Sequence, residues 1–189
     1  MKIFCSGIGG IGLSAYAALQ KLHGHDVSGS DRATSALTED LESQGIRVST
    51  DQSGSVISKD TELFVYSEAL AEDAPERLEA KKRGIRSCSY PEALGELSKD
   101  SFVIAVCGSH GKSSTTGMAT RLLLEVGLDP TIVVGTKLKE LNGRNWRKGK
   151  DKYFLIEACE YRRSFLNYHP NIILLTNADG DHFDYFTSM

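Results

Sequence analysis

No apolar run in this 189-residue chain approaches the roughly 20 residues of a membrane-spanning helix, and the opening MKIFCSGIGG lacks an apolar core of signal-peptide length. Both absences set the expectation of a cytoplasmic protein with no membrane partner. Cysteine is scarce and scattered. Cys5, Cys88, Cys107 and Cys159 never form CxxC, so a zinc site has no support and the four read as reduced, small hydrophobic residues, three of them in or beside apolar runs. Missing too is a basic surplus: 22 Lys and Arg face 25 Asp and Glu, a net charge of -3, which argues against nucleic acid and leaves a small molecule as the expected partner. What is present, 40% hydrophobic and 25% charged residues, suits a soluble globular chain of one large or two modest domains.

The first hundred residues alternate strand and helix signals. Residues 2–6 read as a short buried strand running into Gly7-Ile8-Gly9-Gly10-Ile11-Gly12, a GxGxxG match. Ile11, Ala15, Ala18, Leu19 and Leu22 then recur at helical spacing, Gly24 stops the helix, and a strand over 26–30 delivers Asp31 at its carboxyl end. Together these parts describe a mononucleotide-binding βαβ unit with a tight turn, a helix N-terminus for a diphosphate and an acid for a ribose hydroxyl. The pattern does not select the base, so a nicotinamide or flavin dinucleotide and a UDP-sugar satisfy it equally. A glycine turn serving helix packing alone also remains open. Further on, a helix over 34–45, strands over 46–48, 63–66 and 85–88, a helix over 75–83 and another from Tyr90-Pro91 to Leu97 complete a small parallel α/β domain.

The stretch FVIAVCGSHGKSSTT, residues 102–116, has the layout of strand, phosphate loop and helix. The common form GxxxxGK[ST] would need glycine at Val106; the shorter GxxGK[ST][ST] stands here, from Gly108 to Ser114. Gly108, Ser109, His110, Gly111, Lys112, Ser113 and Ser114 are the candidate phosphate cradle for ATP or GTP, with Lys112 supplying a mobile charge and Ser113 a hydroxyl for magnesium. Behind it Met118, Leu122, Leu123 and Val126 predict the buried face of the helix. A strand follows over 132–134. Residues 135–152 carry seven bases against two acids and read as a loop, either a solvated surface or one facing an anionic substrate. Strands over 153–156 and 172–176 then deliver Glu157 and the group Asn177, Asp179, Asp181, His182 and Asp184. Carboxyl ends of parallel strands converge, so Glu157 and His182 can meet the loop and hold magnesium against ATP phosphates, although a lone histidine is as often a surface residue.

The stretches GIGGIGLSA, VSGSD, VYSEALAEDAPE, SYPEALGEL, CGSHGKSST, EACEYRRSFL and TNADGDHFDYF resemble the Mur ligase family along the whole chain, and within it the members that join L-alanine to UDP-N-acetylmuramic acid. The resemblance implies an α/β protein with a Rossmann-like UDP-binding domain over 1–99 and an incomplete P-loop ATP-binding domain over 100–189. It also implies ATP and Mg2+ as cofactors, and ATP-dependent amide formation through an acyl phosphate in peptidoglycan precursor synthesis. By residue match, Lys112 would contact the β and γ phosphates, Ser113 and Glu157 would hold one magnesium, and His182 would serve a second metal position. Gly7, Gly9, Gly10 and Gly12 would carry the UDP diphosphate, with Asp31 beside them. Ser113 and Ser114 stand where threonine is common in the family, and Ala178 where isoleucine is usual. On this resemblance the chain reads as the front portion of a ligase, inactive alone. The alternatives are a non-catalytic UDP-sugar or nucleotide-binding module and an NAD-dependent oxidoreductase, which would leave GSHGKSS unexplained.

Overall fold

The structure, a computed structural model, describes residues 1–179, and the chain divides into two compact units, Met1–Ala93 and Leu94–Met189. His182, Asp181 and Asp184 lie outside the described residues.

The first unit runs β1 (Lys2–Ser6), α1 (Ile11–Leu22), β2 (Asp26–Ser30), α2 (Ala36–Ser43), β3 (Arg47–Ser49), β4 (Leu63–Tyr66), α3 (Pro75–Lys82) and β5 (Arg86–Ser89), and α4 (Tyr90–Ser98) leads out of it. Its sheet is wholly parallel in the order β3-β2-β1-β4-β5. The apolar run of β1 forms a strand buried on both faces, as a central parallel strand must be. Phe4 and Phe64 stack across β1 and β4 with ring centroids 6.1 Å apart. Ala15, Ala17 and Ala18 are fully buried, which lets α1 lie close to its neighbours. A capping box starts α2: the Ser35 hydroxyl accepts from the Thr38 N–H at 3.3 Å and the Thr38 hydroxyl accepts from the Ser35 N–H at 2.8 Å. Strand order reverses between β1 and β4, which opens a crevice at their carboxyl ends.

The second unit contains β6 (Phe102–Cys107), α5 (Lys112–Glu125), β7 (Thr131–Leu138), β8 (Arg144–Arg147), β9 (Tyr153–Glu157) and β10 (Ile172–Leu175), ordered β10-β6-β9-β7-β8. All neighbours pair in parallel except β7 and β8. Val106, Ile132, Val134, Leu141 and Leu155 form its core.

Two expectations are corrected here. The basic stretch 135–152 is not a loop throughout: β7 extends to Leu138, a 3-10 turn spans Lys139–Leu141, and Asn142 and Gly143, both at positive φ, turn the chain into β8. The charges concealed a strand whose Asn145 and Trp146 are both buried; Arg147 pairs with Asp129, and Arg144 lies over the Trp146 ring at 5.1 Å. The face of α5 is likewise reversed for three of its four residues. Met118, Leu122 and Val126 are 67%, 64% and 63% exposed, while Thr116, Gly117 and Thr120 are buried and Ala119 and Leu123 pack on the core. Small residues let the helix approach the sheet, so the bulkiest stripe is not the inward one. Among the described residues no helix is long and apolar enough to cross a membrane.

Burial then sorts two chemically similar leucines. Leu155→Ala, at a site with no exposure, should cost about 2–5 kcal/mol in urea denaturation. Leu122→Ala should stay within about 0.5 kcal/mol of the parent.

Candidate functional site

In the second unit the phosphate loop leaves β6 through Gly108, whose φ of 130° suits glycine, and enters α5 after Gly111 at 79°. The exit of β10 closes over it. A Cβ on Gly108 would lie 2.8 Å from the Asn177 carbonyl oxygen. Asn177 clamps His110 by its backbone, its Oδ1 accepting from the His110 N–H at 3.0 Å and its Nδ2 donating to the His110 carbonyl at 3.1 Å. The Thr176 hydroxyl also donates to the His110 carbonyl, at 2.6 Å, and the Ser109 hydroxyl donates to the Asp179 carbonyl. Exposure of His110 and Ser114 leaves both side chains on the open side of the loop.

Lys112 is turned into its own loop. Its Nζ donates to the carbonyls of Gly108 at 2.6 Å and Ser109 at 3.2 Å, and to Glu160, both of whose carboxylate oxygens lie at 3.0 Å. An ammonium has three donors, so this set can satisfy it fully. Ser113 lies beside Glu157: its hydroxyl is 3.1 and 3.0 Å from the two carboxylate oxygens, and the Gly135 N–H donates to Glu157 Oε2 at 3.0 Å. The sequence-predicted Lys112, Ser113 and Glu157 are therefore brought together, and His182 lies outside the described residues. Glu160, Gly135, Thr176 and Asn177 take part in ways the sequence reading did not assign. Glu160 had a signal, since it sits three residues past a strand-end acid; Gly135 acts through its backbone and had none. The Cys107 thiol nearby is pushed up by burial above all, which keeps it protonated and a poor nucleophile.

In the first unit Gly7 turns at a φ of 81°. The N–H groups of Gly7 and Ile8 donate to the Ser30 carbonyl at 2.8 and 2.9 Å, that of Gly10 to the Gly7 carbonyl at 3.0 Å, and that of Gly9 to Asp31 Oδ2 at 2.8 Å. Gly7, Gly9 and Gly10 thus spend their donors on the shape of the loop, and α1 begins directly behind them at Ile11. Asp31, read as a ribose partner, closes the loop. Gly12 is a contact point, where a Cβ would come within 2.6 Å of the Tyr90 ring. A cavity of about 480 Å3 lies over the loop, with Gly9, Asp31, Arg32, Ser35, Gln52 and Ser67 in its wall.

Residues 2–102 match the sequence profile described as "Mur ligase family, catalytic domain". The chain belongs to the Mur ligase family. The UDP-N-acetylmuramate–L-alanine ligase of Caldicellulosiruptor saccharolyticus is 44% identical over 186 residues, and that of Acetivibrio thermocellus 44% over 181. These alignments cover 98% and 95% of this chain but 40% and 38% of the relatives' own length. Among solved Mur ligases, UDP-N-acetylmuramate-alanine ligase MurC of Thermotoga maritima superposes with a TM-score of 0.87 at 31% identity, covering 97% of this chain and 43% of that one. UDP-N-acetylmuramate:L-alanyl-gamma-D-glutamyl-meso-diaminopimelate ligase of Neisseria meningitides gives 0.88 at 25%, covering 98% and 63%.

In this Mur ligase chain the Gly9–Asp31 closure is separable from the acid's charge. Asp31→Ala should speed amide exchange at Gly9 and cost about 1–3 kcal/mol of stability. Asp31→Asn retains a carbonyl acceptor, so thermal denaturation should show a smaller loss.

Proposed function

We propose that this chain carries the UDP-binding and phosphate-binding parts of an ATP-dependent ligase that joins L-alanine to the lactyl carboxylate of UDP-N-acetylmuramic acid, a step of peptidoglycan precursor synthesis. The observation that carries this reading is the grouping of Lys112, Ser113 and Glu157 around a short phosphate loop, in a chain that aligns over 98% of its length with 40% of a ligase of that name. The first unit holds the UDP group over α1, and the second holds ATP on the loop from Gly108 to Ser114.

The residues also suit magnesium. Oxygens adjacent in a magnesium octahedron, each 2.0–2.1 Å from the ion, are roughly 2.9 Å apart. The Ser113 hydroxyl and the Glu157 oxygens have nearly that spacing, at 3.0 and 3.1 Å. Ser113 and Glu157 would hold the ion, which when bound neutralises charge on phosphate oxygens. Gly135 keeps Glu157 aimed through its N–H. Lys112 exchanges one of its present acceptors for a phosphate oxygen and so brings a full positive charge to the transferred group. A carboxylate is a poor electrophile; as an acyl phosphate it has a leaving group, and the amine of alanine displaces it.

Binding tests this reading directly. Isothermal titration of the purified chain should show uptake of UDP-N-acetylmuramic acid and of a non-hydrolysable ATP analogue, with no uptake of NADH. NADH binding without UDP-N-acetylmuramic acid binding overturns the reading in favour of an oxidoreductase. Lys112→Met should weaken the ATP analogue at least about tenfold, the loss of a charged hydrogen bond, and leave UDP-N-acetylmuramic acid unaffected. A separate titration of Glu157→Gln should show ATP-analogue binding that no longer tightens with added Mg2+.

A further inference from the structure

Glu76 stands at the second position of α3 and is 1% exposed, an unusual place for a carboxylate. Its Oε2 accepts from the Ser6 hydroxyl and its Oε1 from the Ser30 hydroxyl at 2.6 Å. Both serines have no exposure, and they are the last residues of β1 and β2. The Ser30 carbonyl receives the N–H groups of Gly7 and Ile8, and the Ser6 carbonyl receives that of Ser67 at 3.0 Å. One side chain therefore fixes both strand ends from which the glycine loop hangs.

We propose that Glu76 is a positioning residue for diphosphate binding, holding Ser6 and Ser30 so that the glycine loop presents the first turn of α1 to the diphosphate of a UDP-sugar. This rests on the reading of the first unit as the UDP site. The chemistry of the residue supports it. A carboxylate accepts at both oxygens and can satisfy two hydroxyls at once, whereas an amide offers one acceptor and one donor. Burial works against the charge and pushes the Glu76 carboxyl up, with Asp51 and Asp31 adding to that, while the two serine hydroxyls oppose it. The N-terminus of α3 adds a partial positive charge of its own. A side chain needed only to fill space would be cheaper as an aliphatic.

The test uses the full chain, UDP-N-acetylmuramic acid, an ATP analogue and 1H–15N spectra. Glu76→Gln keeps the shape but turns one acceptor into a donor. It should weaken UDP-N-acetylmuramic acid about tenfold, the scale of one hydrogen bond to a charged group. It should also shift the Gly7 and Ile8 amide resonances and speed their exchange, with ATP-analogue affinity unchanged. Ser30→Ala, which keeps the carboxylate and removes one donor, should move the same readouts by less. Unaltered UDP-N-acetylmuramic acid affinity in folded Glu76→Gln overturns the proposal, as does equal loss of both ligands, which marks a purely structural role. If Glu76→Gln does not fold, Ser30→Ala decides: parental affinity and unshifted Gly7 and Ile8 amides overturn the proposal. Failure of the parent chain to bind UDP-N-acetylmuramic acid is a distinct result, since it removes the UDP reading and the proposal with it.

Discussion

The carboxylate of Glu157 is the junction on which the second unit's site depends. It stands at the end of β9, accepts from Ser113 at the start of α5, and accepts from the N–H of Gly135 within β7. Three elements contributed by separate stretches of chain are fixed to one another at a single side chain. Parallel pairing makes this possible: β9 lies between β6 and β7 with all three pointing the same way, so the phosphate loop, the acid and Gly135 emerge at one end of the sheet. Without that register Ser113 would be one hydroxyl on a helix terminus. With it, two oxygen donors stand at the spacing of a metal's neighbouring ligands.

Lys112 shows the same economy of a loop that satisfies itself. Its ammonium is held by two loop carbonyls and by Glu160, and its side chain is only 14% exposed. A buried cation needs such partners, because an unpaired one would be costly. Carbonyls and a carboxylate are also what phosphate oxygens replace most easily, acceptor for acceptor. The Thr176 and Asn177 side chains hold the His110 backbone from the other side, so this part of the cradle is braced without using the Lys112 ammonium.

Most of the strand, loop and helix order was legible, because β1, β6 and β9 carry apolar runs that lead into glycine or end in an acid. The inward face of α5 was not. Periodicity picks the bulkiest stripe, and here Met118, Leu122 and Val126 face outward because Thr116, Gly117 and Thr120 allow a closer approach to the sheet. Nor was β8 legible, since Arg144 and Arg147 bracket Asn145 and Trp146 and the charges dominate the reading. Glu76 was hidden for a related reason: a glutamate in the first turn of a charged helix reads as a solvated cap, and nothing local shows that two strand ends meet it. In the candidate site, residue types at strand ends could be read, whereas partners supplied by backbone, such as Gly135 on Glu157, could not.

The two loops treat negative charge differently. Around the first, Asp31 is bonded to the loop itself and Glu76 lies behind the strand ends that carry it, with Arg32 in the cavity wall as a cation. An anion proposed there would be held through a helix N-terminus and shape, since both carboxylates are already engaged in hydrogen bonds to the loop and to Ser6 and Ser30. In the second, Lys112 sits inside the loop, and the Ser113 hydroxyl is hydrogen-bonded to the Glu157 carboxylate. Mobile charge is useful where charge changes during a reaction, and a fixed dipole suffices where an anion is only gripped. Under the proposed function, the first unit would grip a diphosphate as a handle, and phosphoryl transfer would belong to the second.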